Sequence, residues 1–172
     1  MKVVSDSSPL IWLSKIGNLR ILRELYGDVI IPWEVYEEVV AKGLREGFSD
    51  ALVVKRSIKE GWIRIEELDP GDEELAQTLK ENAVELHRGE AHATLLARRR
   101  RALLLMDESS GRALAETWGI DVKGSLYVVL RALREGLLTR EEAKEAVTSM
   151  IIKGFRIDPG LVTRVLNTIE NF

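Results

Sequence analysis

Four acidic residues stand where carboxylates could act together. Asp6 directly follows the apolar run at residues 2–5, KVVS, and Asp107 directly follows ALLLM at residues 102–106. A carboxylate beside a buried strand is costly unless it lies at the strand's exit, where water or a cation can reach it. In an open parallel sheet, ligands gather at that carboxyl edge. Glu90 stands at the start of a helix opening near Gly89, and Glu38 lies on a helix opened by Pro32, beside the stripe of Val35 and Val39. On that pattern Glu37 is the more solvent-facing of the two neighbours. Taken singly, Glu90 reads as a helix N-terminal charge, Glu38 as a surface residue and Asp6 as a cap or turn. The joint placement carries the reading.

Carboxylates brought together repel one another. Two unit charges ~4 Å apart cost roughly 4 kcal/mol at an effective dielectric near 20. Proton sharing or a divalent cation must relieve this. A set of oxygen ligands favours Mg²⁺ or Mn²⁺ over zinc. An ion held in this way orients phosphates, activates a bound water and stabilises a leaving oxygen. The chemistry expected is phosphodiester hydrolysis.

The elements that must position these acids alternate along the chain. Strands are expected at 2–5, 29–31, 62–65, 102–106 and 120–122. Helices are expected from Ser8 to about Ile16, from a cap at Asn18 to Gly27, from Pro32 to about Gly43, and over 49–60, 72–80, 89–99, 109–118 and 125–134. Two more, over 140–153 and 159–169, follow the last strand. Strands separated by helices imply a parallel sheet of four to five strands with helices on both faces. The division expected is a nuclease-like domain at 1–138 and a helical extension at 139–172 packed on it.

Bulk properties narrow the class. The chain has 172 residues, 45% hydrophobic and 31% charged, which suits one folded domain rather than a disordered segment. The absence of cysteine removes disulfides, zinc-thiolate sites and cysteine nucleophiles. No stretch approaches the ~18 uninterrupted apolar residues of a membrane span, and the N-terminal apolar run is too broken for a signal peptide. The reading is a soluble, cytoplasmic protein. The net charge of −3 argues mildly against a nucleic-acid binder, although local patches matter more than the sum.

Several other residues bear on the site. Arg88, Arg112 and Lys123 lie near strand exits or site loops, where they could meet phosphates. The run Arg98–Arg101 is expected at the amino end of a strand, away from the acids, as a solvated helix end. His87 and His92 are badly spaced for one metal. Trp12, Trp33, Trp62 and Trp118 sit in periodic segments and read mostly as core. Ser7 and Ser8 read first as helix caps, and Ser8 or Ser125 could orient a metal-bound water. No P-loop, G-x-S-x-G or G-x-G-x-x-G pattern occurs.

The quoted segments resemble a known family. VVSDSSPLIWLSKIG resembles the opening of PIN-domain proteins, and IIPWEVYEEV resembles their second strand and acidic helix. LHRGEAHATLLA and LLLMDESSGRALAETWGIDVKGSLYVVL resemble one archaeal and bacterial subgroup related to VapC-type toxin nucleases. The resemblance runs from Lys2 to about Leu138. It implies a three-layer α/β/α fold and a Mg²⁺- or Mn²⁺-dependent RNA endonuclease. It also implies a toxin neutralised by a small antitoxin protein, and a homodimer. Carried over residue by residue, the metal-binding acids fall at Asp6, Glu38, Glu90 and Asp107. Glu90 stands where the wider family more often has aspartate, and His92 where the subgroup often has another acid. Glu108 is a spare ligand.

Two other classes compete. A PIN fold kept as a catalytically weak or inactive RNA- or protein-binding module is suggested by Glu90 and His92. A phosphoacceptor domain is suggested by Asp107 and Lys123 after successive strands. Against it, no acid pair follows the first strand, and Gly124 follows the lysine.

Overall fold

The structure, a computed structural model, describes residues 1–83 and 85–172. Five parallel strands form one sheet in the order β3-β2-β1-β4-β5. They are β1 Val3–Ser5, β2 Val29–Pro32, β3 Ile63–Glu66, β4 Leu103–Leu105 and β5 Val122–Lys123. The three central strands are buried along their whole length, as expected for continuous apolar runs covered on both faces. β1 is held on both sides, by Val4 against Ile30 and by Val3, Val4 and Ser5 against Leu103, Leu104 and Leu105. That register brings the ends of β1 and β4 level, and with them Asp6 and Asp107.

The helices are α1 Ser7–Lys15, α2 Arg20–Tyr26, α3 Trp33–Tyr36, α4 Gly43–Arg45, α5 Ser49–Lys59, α6 Pro70–Asn82, α7 Arg88–Arg100, α8 Ser109–Thr117, α9 Ser125–Arg134, α10 Arg140–Ile152 and α11 Pro159–Glu170. Strand periodicity divides them between the two faces. Val3, Val29, Ile31, Leu103 and Leu105 face the larger core, with Leu10, Val35, Val54, Val128 and Val129. Val4, Ile30, Leu104 and Met106 face the other side, against Ala93 and Leu96 of α7 and Ala115 of α8. Ala143, Val147, Met150, Val165 and Ile169 of the last two helices belong to the same larger core, where both helices pack against α9. No helix is long and apolar enough to cross a membrane among the described residues.

The helix ends show where local chemistry was misjudged. Asn18 does not cap α2. Its N–H closes the end of α1 on Leu13 O at 2.7 Å, following Gly17 at φ +75°, and Leu19 is the residue before α2. Ser7 and Ser8 lie inside α1 rather than capping it. The helix that Pro70 and Gly71 were expected to begin does start at Pro70, where Asp69 accepts the Asp72 N–H. The largest departure is a π-helical stretch, Glu37–Lys42, between α3 and α4. A π turn adds a residue to the turn and shifts the faces beyond it. Glu38 is accordingly exposed and Glu37 half-buried, the reverse of the regular helical expectation.

Candidate active site

The strand exits deliver the acids. The Asp6 N–H continues the sheet by donating to Leu105 O at 2.9 Å, so its backbone is fixed before its side chain leaves the strand. The carboxyl is buried, 3% exposed, and makes no capping bond to α1. Burial raises its pKa well above the usual 3.8. The Ser7 N–H offsets part of this, and repulsion from Glu108, Glu38 and Glu90 adds to it. The same three acids that destabilise the Asp6 charge are thus its neighbours.

Glycines make the approach possible. A Cβ on Gly89, at the start of α7, would lie 3.3 Å from Glu38 Oε2 and 3.6 Å from Asp6 Oδ1. One on Gly111 would lie 3.2 Å from Glu90 Oε2, and one on Gly124 would lie 2.7 Å from Asp107 Oδ1. The small residues therefore clear the space into which the carboxylates reach.

Serine hydroxyls support most of the acids. Ser7 donates to Glu38 Oε2 at 2.7 Å, Ser8 to Glu108 Oε2 at 2.7 Å and Ser110 to Glu90 Oε2 at 3.0 Å. Ser8 Oγ also accepts the Asp107 N–H at 3.3 Å. Asp107 is gripped at both oxygens by Ser125, through the N–H at 2.7 Å and the hydroxyl at 2.6 Å. Burial nonetheless raises the pKa of both Glu90 and Asp107, with serine hydrogen bonds opposing it. The sequence DSS after β1 and ESS after β4 is the signal from which Ser7 and Ser110 could have been found.

The acids line two adjoining lobes. Asp6, Ser8, Glu38, Glu90 and Glu108 border a cavity of about 320 Å³, and Glu90, Asp107 and Glu108 border one of about 610 Å³. Trp12 and His87 line both lobes. Beyond Glu38 and Gly89 a wider cleft of about 1050 Å³ carries Trp33, Lys42, Arg45 and Lys80 on its walls. Trp33 is 43% exposed and Trp62 only 3%, so the tryptophans are not uniformly core.

The expected phosphate-binding cations already have partners. Arg88 lies 3.3 Å from Glu34 and 3.1 Å from Glu73. Arg112 donates to Met106 O at 3.0 Å and approaches Glu116 at 3.9 Å. Lys123 pairs with Asp121 at 2.9 Å. The arginine run lies at the amino end of β4, with Arg99 paired to Asp69 at 3.1 Å.

A second group of ligand-type atoms lies across the first turns of α7. One atom each from Glu34, Glu73 and His92 falls within 4.8 Å of the others. This set is more tightly gathered than the carboxylates of the two lobes, but Arg88 already spans it. In the lobes Glu38, Glu90, Asp107 and Glu108 each rest on a different serine hydroxyl, with no internal cation among the described residues to offset their repulsion. Their donors are all oxygen, burial disfavours the charges of Asp6, Glu90 and Asp107, and glycines leave room among them. That donor set fits a hard divalent cation such as Mg²⁺ or Mn²⁺.

The parallel sheet between two layers of helices, with acids at its carboxyl edge, is a PIN-like α/β/α fold. A family model, DUF3368, described as a PIN domain, matches residues 2–171, and the chain belongs to that family. PIN domains are typically nucleases, generally use a divalent metal and commonly bind RNA. No curated protein matches the chain significantly.

Proposed function

We propose that this protein is a Mg²⁺- or Mn²⁺-dependent endoribonuclease, with Asp6, Glu38, Glu90 and Asp107 holding the ion and Glu108 as an auxiliary ligand. The observation that carries the reading is the acid set at the sheet's carboxyl edge, with Asp6 and Glu90 buried, serine hydroxyls on Glu38, Glu90 and Asp107, and no internal cation among the described residues. When bound, the ion supplies charge neutralisation and an activated water for phosphodiester hydrolysis. The protein's own groups hold the acids in place. Ser125 fixes Asp107 through both oxygens, Ser7 turns Glu38 toward Gly89, and Ser8 ties the Asp107 backbone to Glu108. The wide cleft beside Glu38 suits a polymer, with Trp33 as a surface for a base and Lys42, Arg45 and Lys80 near its backbone. Arg88, Arg112 and Lys123 would meet phosphates by exchanging their present partners.

The test is cleavage of single-stranded RNA with Mn²⁺ or Mg²⁺, comparing wild type with Asp6→Asn and Asp107→Asn. Loss of cleavage in both variants is expected. Equal cleavage by variants and parent would sink the assigned site.

Within this reading the protein acts in the cytoplasm as a homodimeric toxin, restrained by a small antitoxin protein. The resemblance of residues 86–97 and 103–130 to toxin nucleases supports it, and residues 139–172 serve as an extension packed on the same domain. Growth arrest on expression, relieved by the product of a neighbouring small reading frame, is the expected result. A second reading, a catalytically weak RNA- or protein-binding module, is favoured by the double engagement of Asp107 by Ser125. Calorimetry showing RNA binding without Mn²⁺ binding would select it.

A further inference from the structure

The segment between α10 and α11 returns the chain to the acidic cleft. Gly154, at φ +100°, ends α10 in a conformation that L side chains rarely adopt. Its N–H donates to Ile151 O at 3.0 Å, and the Phe155 N–H donates to Met150 O at 2.9 Å. Phe155 then packs edge-on against Trp12, with ring centroids 5.2 Å apart and planes at 81°. Trp12 belongs to α1, the helix that begins directly after Asp6. The returning segment is therefore fastened to the helix whose N-cap residue is Asp6. The base of this arm is firm, because Ala143, Val147 and Met150 of α10 are fully buried.

The next residue is Arg156. It lines the lobe that contains Glu90, Asp107 and Glu108, and among the described residues it is the only lysine or arginine on that lobe. A guanidinium beside carboxylates would ordinarily be drawn into an ion pair. Here the acids rest on Ser8, Ser110 and Ser125, and Arg156 forms no ion pair among the described residues. Arg88, Arg112 and Lys123 are all paired nearby. One exposed cation thus lines the same lobe as the acids, with no ion pair or side-chain hydrogen bond among the described residues.

We propose that Arg156 binds a non-bridging phosphate oxygen pair of the RNA strand at this site, and that the C-terminal helices complete the site by delivering it. The proposal rests on the nuclease reading of the same acids. A planar guanidinium suits the two oxygens of a phosphodiester, with parallel N–H donors that an ammonium lacks. Electrostatics gives the same answer. An acidic wall repels a polyanion even when a divalent ion neutralises part of it, so a fixed cation opposite the wall favours a phosphate between them.

The experiment uses the full chain. Binding of a single-stranded RNA oligonucleotide is measured by anisotropy in an Asp6→Asn background, with Arg156→Ala and Arg156→Lys added, over a range of salt. Cleavage is measured separately with the wild-type acids. Arg156→Ala should raise Kd about tenfold and reduce the slope of log K against log salt by about 0.7, the value for one phosphate contact on a single strand. Arg156→Lys should restore the slope but not the full affinity. Mn²⁺ affinity in Arg156→Ala should be undiminished, and an unchanged melting temperature shows that the fold is intact. Unchanged Kd and slope in Arg156→Ala overturn the proposal, whether or not the parent cleaves RNA. A reduced slope in a protein whose parent does not cleave RNA leaves the phosphate contact standing and removes the nuclease reading. Absence of RNA binding by the parent overturns both.

Discussion

Two groups of acids lie on either side of the first turns of α7, and they solve the problem of crowded charge differently. On one side Glu34 and Glu73 share Arg88, at 3.3 and 3.1 Å, with His92 between them. His92 is buried, its Nδ1 2.6 Å from Glu34 Oε2 and its Nε2 3.5 Å from Glu73 Oε1. The Nδ1 approach lies off the hydrogen-bonding direction of the ring, so it is a close charge contact rather than a satisfied bond. Burial lowers the His92 pKa, and the two glutamates oppose that shift. On the other side Glu38, Glu90 and Asp107 have hydroxyl support, Asp6 has the Ser7 N–H, and none of the four has an arginine or lysine bound to it among the described residues. Proximity of carboxylates alone therefore does not mark a metal centre. The group with a built-in cation is a tie between α3, α6 and α7. The group without one must take up protons or a divalent ion.

The largest effects should fall on the uncompensated group. Gly124→Ala would place a methyl group 2.7 Å from Asp107 Oδ1, so the carboxylate must move. A displacement of order 1 Å can cost about a hundredfold in rate. RNA cleavage by Gly124→Ala should fall by about that factor, with the melting temperature changed much less. Glu73→Gln, in the compensated group, should leave cleavage within about threefold, as surface changes away from a site usually do. Similar losses in the two variants would erase the functional distinction between the groups.

Protons and metal should act on the two groups in opposite ways. The Asp6 pKa is raised on folding by burial and by its acidic neighbours. The folded state therefore binds that proton more tightly than the unfolded chain does. Asp6 consequently costs stability at neutral pH, and the cost fades as pH falls through the folded pKa toward 3.8. Glu90 and Asp107 share that sign. In metal-free buffer, Asp6→Asn should melt above wild type at pH 7.5, and the gap should close toward pH 4. One kcal/mol corresponds to about 2–4 °C in a chain of this size. Mn²⁺ should stabilise wild type by about 2.7 kcal/mol at a hundred times its Kd, and Asp6→Asn by less. A melting gap independent of pH and Mn²⁺ would show that the acids carry no stored repulsion.

Different parts of this arrangement were legible to different degrees. Asp6 and Asp107 could be read because a buried apolar run followed at once by an acid leaves the acid only the sheet's edge. The sheet, its parallel sense and the two final helices followed from the same alternation of runs. Glu38 was harder. Regular helical periodicity turns Glu37 outward, but the π turn over Glu37–Lys42 exposes Glu38 instead, and no residue type announces that extra residue. Glu90 looked like a solvated helix-end charge, yet it is 3% exposed, its Oε2 held by Ser110 and lying close against Gly111 of α8. Ser7 and Ser110 were obscured by an ordinary local preference. Serine near a helix start is commonly a cap, whereas here it reaches across the fold to a carboxylate. The Glu34, Glu73 and His92 group joins residues from three elements separated by long stretches of chain, and spacing alone cannot reveal it.

The smallest expected effect tests the comparison from the other side. Arg88→Ala removes the cation from the compensated group. Arg88 is 58% exposed, so solvent already screens its pairs and the loss should be only about 1 kcal/mol. The consequence for Glu34 is more specific, because its side chain is 15% exposed and cannot turn fully to water. With Arg88 gone, Glu34, Glu73 and His92 present two carboxylates and an imidazole within 4.8 Å and no internal cation. That donor set suits a transition-metal ion such as Mn²⁺ or Zn²⁺. Arg88→Ala should therefore melt slightly below wild type in metal-free buffer and gain an additional Mn²⁺-dependent stabilisation. The gain should survive in Arg88→Ala/Asp6→Asn and disappear in Arg88→Ala/His92→Ala. If Arg88→Ala gains nothing from Mn²⁺ beyond wild type, the internal cation is not what separates the two groups, and their difference must lie in ligand geometry.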